Sequence, residues 1–203
     1  MIEKNEVIAF FDLCAPQWDA QLVRNDAVID RILDNGGIQS GCHVLDVACG
    51  TGVLFPDYVK RDVASVTAVD ISTQMAEIAR RKSQGTQIQV LCGDVERISF
   101  DRRFDCCMVY NAFPHFPDPE GLIRVLAGTL KPGGRLSIAH GMSRDKINAH
   151  HKGAANKVSL GLMEAQELAK LFAPYFQVDV VISDERMYQV AGKCARQNEN
   201  LSL

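Results

Sequence analysis

The chain has 203 residues, with 22 lysines and arginines against 25 aspartates and glutamates, and so a formal charge of −3. Hydrophobic residues make up 47% and charged residues 23%, close to soluble globular proteins, which argues against a disordered chain; the mild acidity supplies no basic field for nucleic acid. No apolar run reaches the ~18–20 residues of a membrane span, and the charged start Met1-Ile2-Glu3-Lys4 lacks signal-peptide anatomy, so a cytoplasmic protein is expected.

Residues 1–36 read as a helical cap, with Val7, Ile8, Phe10, Phe11 and then Leu22, Val28, Ile29, Ile32, Leu33 at helical spacing. Pro16 is expected to split it and Gly36-Gly37 to end it. Short β-branched runs then alternate with helical stretches. Strands are predicted at His43–Val47, Ser65–Val69, Ile88–Leu91, Phe104–Tyr110 and Arg135–His140. Helices are predicted at about Val53–Arg61, Thr73–Ser83 and Pro119–Leu130, and Lys131-Pro132-Gly133-Gly134 reads as a turn. Such alternation implies a parallel sheet with helices on both faces. Residues 141–163 show little apolar periodicity and read as an irregular lid. Glu164–Phe172 reads as a helix, and Gln177–Ser183 and Met187–Gly192 are joined by too few residues for a parallel crossover, so they form an antiparallel hairpin. The expectation is one domain, 1–203: cap 1–36, core 37–140, lid 141–163, and helix plus hairpin 164–203. Its fold class is α/β: a Rossmann-like, doubly wound, mostly parallel seven-stranded sheet ending in the antiparallel hairpin.

Seven cysteines without a CxxC pair indicate neither a disulfide framework nor a zinc ribbon. Cys106-Cys107 lies in an apolar stretch and reads as packing. The densest chemistry lies in Val44-Leu45-Asp46-Val47-Ala48-Cys49-Gly50-Thr51-Gly52. A buried strand delivers the chain to a glycine turn before a helix, where backbone can touch a ligand at the carboxyl end of the sheet. Asp70 ends the next strand about twenty residues on, where an acid can accept both ribose hydroxyls. A dinucleotide turn wants a third glycine, but Phe55 stands there, which favours a nucleoside without a diphosphate. Asp94, ending the third strand, suits an adenine amine. The plainer alternatives are a structural carboxylate for Asp46, a helix cap for Asp70 (served better by Ser72 or Thr73) and a turn aspartate for Asp94.

Together these segments resemble class I S-adenosylmethionine-dependent methyltransferases of the small-molecule type. Val44–Gly52 looks like their first motif, Asp70 in Ala68-Val69-Asp70-Ile71-Ser72 like their ribose-binding acid, and Gly93-Asp94-Val95 like their adenine segment. Phe104–Tyr110 with Asn111-Ala112-Phe113-Pro114-His115-Phe116 resembles the fourth motif, and Leu130–Leu136 the turn before the fifth strand. Phe10–Asp19 is similar to the segment that closes over the cofactor, and with the first motif to ubiquinone/menaquinone methyltransferases. The resemblance spans about residues 40–140. It implies S-adenosylmethionine as cofactor, S-adenosylhomocysteine as product, and a small-molecule methyl acceptor. It also implies Asp46, Ala48, Gly50 and Gly52 near the methionine part, Asp70 on the ribose, Ile71, Asp94 and Val95 around the adenine, and Asn111 beside the amino-acid moiety.

Past that core, His115, His140 and His151 are candidate catalytic groups, for base work or substrate contact. His115 reads equally as a loop histidine packed between Phe113 and Phe116. His140 with His150-His151 could also suggest a metal, but the spacing matches no zinc pattern, and adjacent histidines on a helix point about 100° apart, so no metal is expected. Arg144 and Asn148 are candidate substrate contacts, with a solvated lid as the plainer reading. Trp18, the single tryptophan, either stacks on a ring or anchors the cap. The competing functions are a non-catalytic binding protein of the same fold and a nicotinamide oxidoreductase. The acceptor atom, oligomeric state and pathway stay open.

Overall fold

The computed structural model describes residues 2–153 and 155–195; residues 196–203 of the expected C-terminal segment lie outside them. Seven strands run β1 His43–Val47, β2 Ser65–Asp70, β3 Ile88–Cys92, β4 Phe104–Tyr110, β5 Leu130–His140, β6 Phe176–Ser183 and β7 Tyr188–Cys194. The helices are α1 Lys4–Trp18, α2 Asp26–Asn35, α3 Phe55–Lys60, α4 Thr73–Lys82, α5 Pro119–Thr129, α6 Arg144–His151 and α7 Ala165–Phe172. The strands form one sheet in the order β3-β2-β1-β4-β5-β7-β6. β7 pairs antiparallel with both β5 and β6, while β1 to β5 pair in parallel. The expected doubly wound sheet with its closing hairpin is therefore present.

Strand alternation divides the core between two faces. Leu45, Val47, Cys107 and Val109 point to the face covered by α5 and α7, where Leu122, Leu126, Leu168 and Phe172 are buried. Val44, Val66, Cys106 and Met108 point to the other, against Ile29, Ile32 and Leu33 of α2 and Ala76 and Ala79 of α4. Both faces of the central strands are dry, which is why β1 and β4 read as nearly unbroken apolar runs. Cys106 and Cys107 pack as small hydrophobes on opposite faces.

Four local readings differ from the structure. Pro16 sits within α1 and does not split it; the helix ends at Trp18 and passes into a 3-10 turn, Asp19–Gln21. α3 begins at Phe55 rather than Val53, with Pro56 in its first turn, where a missing N–H costs nothing. Lys131–Gly134 is not a free turn but the irregular start of β5. The register shifts there, Gly133 has φ +77°, and Gly134 runs so close to the Phe104 and Asp105 carbonyls that a Cβ would lie 3.1 Å away. Finally, the expected irregular lid contains α6, whose Ser143 N-cap accepts from Lys146 and whose Ile147 is buried in the main core.

Candidate functional site

The order reverses between β1 and β4, and the carboxyl ends of these strands open into a cavity there, as expected at a topological switch point. Its volume is about 970 Å³, counting the part open to solvent. The floor is backbone held in unusual conformations: Ala48 (φ 54°), Gly50 (φ 56°) and Asn111 (φ 55°) are all left-handed and all line the cavity. A non-glycine residue pays roughly 1–2 kcal/mol for this. For Asn111 the geometry is fixed by two bonds: its N–H donates to the Ala139 carbonyl, and its Oδ1 accepts from Gly141 N at 2.9 Å.

Asp70 ties this floor together. One carboxylate oxygen accepts from Gly50 N at 2.7 Å and the other from Ser72 N at 2.9 Å. Burial pushes its pKa up to about 6, against the pull of those two N–H groups. Ser72 is the cap of α4, accepting from Met75 N, so Asp70 is free of that duty. Ile71, Met75 and Val95 supply apolar walls nearby. Asp94 also lines the cavity. Its Oδ1 accepts from Glu96 N, and Lys4 Nζ donates to its Oδ2 at 2.7 Å and to Glu96.

Asp46 and Gly52 differ from their expected place: neither contributes to the cavity wall. Asp46 is buried, and burial raises its carboxyl to about 8. The Tyr58 hydroxyl favours the ionised form of Asp46 but lacks a partner in normal hydrogen-bond geometry. Gly52 (φ 86°) faces Phe55; a Cβ there would sit 2.6 Å from the ring, so the residue that replaces a third glycine also fills the space behind the turn.

The roof is α1, which contributes Lys4, Val7, Phe11 and Trp18. Three latches hold it: Lys4 on Asp94, Asp12 accepting from Ser72 Oγ at 2.5 Å, and Asp19 accepting from Thr51 Oγ1 at 2.6 Å. Trp18 lies over the turn at Gly50 with its ring edge-on to Phe11, centroids 5.7 Å apart. Lys4 escaped sequence reading because a lysine near a helix start carries no sign of its partner ninety residues away.

The three candidate histidines come together. His115 lines the cavity, in edge contact with Phe11 at 4.9 Å, and its ring centroid is 5.0 Å from that of His151. His140 is buried behind the wall with both ring nitrogens unpartnered, edge-on to Tyr188. Burial, reinforced by the neighbouring histidines, pushes His140 down to about 3 and His151 to about 4; burial also lowers His115. All three are therefore neutral near pH 7. Among the described residues, no group of His, Cys, Asp and Glu is arranged to hold a metal ion. Arg144 and Asn148 do not line the cavity. Both bind the backbone of Leu162: Arg144 Nε and Asn148 Nδ2 donate to its carbonyl at 3.0 Å, and Asn148 Oδ1 accepts from its N–H at 2.6 Å.

The chemistry of the wall fits a nucleoside. A buried carboxylate and apolar slots line the cavity, and Lys4, the one lysine or arginine among the lining residues, is spent on Asp94 and Glu96.

Residues 45–138 match the family model described as a methyltransferase domain. A ubiquinone biosynthesis O-methyltransferase of Coxiella burnetii is 32% identical over 143 residues, covering 66% of this chain and 61% of that protein. The chain thus spans about three fifths of that relative's length. Among solved structures, a chain of the Haloferax volcanii complex between the Trm112 methyltransferase activator and its methyltransferase partner superposes with TM-score 0.77 at 18% identity, covering 91% and 97% of the two chains. DhpI, solved with S-adenosylhomocysteine, gives 0.69 at 18%, covering 93% and 95%. Sheet order, motif positions and these likenesses agree: residues 45–138 match a methyltransferase domain, and the chain has the fold of the S-adenosylmethionine-dependent methyltransferases it resembles.

Proposed function

We propose that the cavity binds S-adenosylmethionine and directs in-line transfer of its methyl group to an oxygen of a small-molecule acceptor. The observation that carries this is the continuity of the cavity. One space runs from Asp70 and Asp94, past the turn at Ala48–Thr51, to His115, Phe116 and Pro117. The first end suits a nucleoside, with Asp70 receiving ribose hydroxyls, Ile71 and Val95 flanking the adenine and Asp94 at its edge. Backbone at Ala48 and Gly50 and the side chain of Asn111 would hold the amino-acid part, while Asp46 and Gly52 shape the turn from behind. When bound, the cofactor supplies a methyl group already activated by its sulfonium, so the protein's work is alignment and exclusion of water. α1, with Phe11 and Trp18, provides that exclusion. The relative's name, an O-methyltransferase, supports oxygen as the acceptor atom.

A binding protein without catalysis would need no room past the sulfonium, and the extension to His115 disfavours it. Calorimetric titration with S-adenosylmethionine, S-adenosylhomocysteine and NADH tests the cofactor assignment. Micromolar binding of the first two and none of NADH is expected. Binding of neither would leave a scaffold or an enzyme that works only with a partner protein.

A further inference from the structure

The geometry points to His115 as the general base that takes the acceptor's proton, and hence to an uncharged acceptor whose reactive oxygen carries that proton. This rests on the methyl-transfer function proposed above. The first support is the tautomer. His115 Nδ1 lies 2.7 Å from the backbone carbonyl of Val158. A carbonyl can only accept, so Nδ1 carries the hydrogen and Nε2 is left with a lone pair. Val158 is itself buried, in a small cluster with Ile2, Val7 and Ala155, so the carbonyl that sets the tautomer is anchored to the underside of α1.

The second support is position. Of the three convergent histidines, His115 alone lines the cavity, in the turn that follows β4. His140 from β5 and His151 from α6 are the titratable groups facing it, and both are neutral near pH 7. Phe11 from α1 closes the remaining side. His151 is held in turn through Nδ1 by Ser159 Oγ at 2.7 Å, and Ser159 accepts from Gly161 N, so His151 is a positioning residue. A neutral surround keeps His115 in its base form and puts no fixed positive charge near a sulfonium.

The third support concerns the acceptor. Phe11, Ala112, Phe116 and Pro117 line the cavity with His115, and the single lining ammonium is already paired with Asp94 and Glu96. A carboxylate or phosphate on the acceptor would enter this space without a counter-ion, at a desolvation cost of several kcal/mol. Thiols ionise appreciably near neutral pH, whereas a phenolic hydroxyl ionises near 10 and gains most from a base. In the step, the acceptor's O–H proton passes to His115 Nε2 as the oxygen–methyl bond forms and the carbon–sulfur bond breaks; the imidazolium then returns the proton to solvent.

Long-range ¹H–¹⁵N correlation spectra of ¹⁵N-histidine-labelled protein test the tautomer directly, with His115→Asn for assignment. Asparagine retains an N–H for the Val158 carbonyl but offers no base. At pH 7 the expected state is protonated Nδ1 with unprotonated Nε2; the opposite tautomer or an imidazolium overturns the proposal. The second arm follows methylation of catechol, thiophenol and aniline, none of which carries a carboxylate or phosphate. Catechol is the expected acceptor, and His115→Asn lowers kcat about 10²–10⁴-fold with KM and S-adenosylhomocysteine affinity within about twofold. Turnover of the variant within threefold of the parent overturns the base assignment. Parent protein that binds S-adenosylhomocysteine but leaves catechol unmethylated overturns the acceptor class. Failure to bind S-adenosylhomocysteine at all would instead remove the function beneath the proposal, leaving the tautomer result standing.

Discussion

The N–H of Gly50 donates to Oδ2 of Asp70 at 2.7 Å, fastening the glycine turn after β1 to the carboxylate that ends β2. The other oxygen accepts from Ser72, so both stay oriented at the cavity edge while the group is nearly fully buried. A buried carboxylate held only by N–H groups is short of a full hydrogen-bond complement, and a vicinal diol donor would supply it. Asp70→Ala is expected to weaken S-adenosylmethionine binding by about 1–3 kcal/mol, about 5- to 150-fold by calorimetry. Unchanged affinity would remove Asp70 from the site.

The same burial makes binding and stability depend on pH in opposite ways. Asp70 is raised to about 6 and Asp46 to about 8, both above their unfolded value of 3.8. A raised carboxyl stabilises the fold below the unfolded pKa and loses that stabilisation as pH rises through the folded pKa. The melting temperature of the ligand-free protein, followed from pH 5 to 8, should therefore fall through these two groups, and Asp46→Asn should flatten the upper part. Cofactor affinity should show the reverse, dropping below pH 6 as Asp70 protonates. Calorimetry in buffers of differing ionisation enthalpy at pH 6 would detect the proton released on binding.

Ala48 is an L-residue held at φ 54° on the cavity floor. Ala48→Gly relieves that conformation but loosens the unfolded chain, so the net gain is about 0.5–1 kcal/mol. Differential scanning calorimetry should show a melting point about 1–3 °C higher. No rise would mean the turn accommodates the alanine without strain.

Lys4 bridges Asp94 and Glu96, joining the start of α1 to the segment after β3. The pair is about one third exposed on the lysine side, so Lys4→Met should cost less than about 1 kcal/mol of stability. The larger effect falls on the roof: stopped-flow dissociation of S-adenosylhomocysteine should quicken several-fold, as it should in the parent at high salt. Equal rates would show that the Asp12 and Asp19 latches suffice to hold α1.

Asn148 makes two hydrogen bonds to Leu162, donating to its carbonyl and accepting from its N–H. Asn148→Ala leaves the Leu162 N–H unpaired, while its carbonyl keeps Arg144, and should cost about 1–3 kcal/mol in chemical unfolding, with cofactor affinity unchanged. A selective loss of acceptor binding at full stability would return Asn148 to the substrate site.

The first motif, Asp70, Asp94 and the alternating strands were legible because each is written in neighbouring residues. Strand period, strand-end carboxylates and a glycine turn are local, and one parallel sheet is the compact solution that buries those apolar runs on both faces. The hairpin followed equally from the short link between Gly192 and Gln177's strands, β7 and β6. Packing decided the rest. Pro16 lies close enough to the end of α1 that the helix reaches Trp18 regardless, and α6 forms around the buried Ile147 despite a weak sequence pattern. Only the folded chain could pair Lys4 with Asp94, retire Asp46 behind the turn and turn Arg144 and Asn148 toward Leu162. Only it could bring His115, His140 and His151 into one neutral cluster, since their proximity depends on how β4, β5 and α6 meet in space. The sequence by itself determined the sheet and the glycine turn and strand-end carboxylates that meet at the cavity; the tertiary structure decided the histidine cluster, because contacts between distant segments leave no periodicity to read.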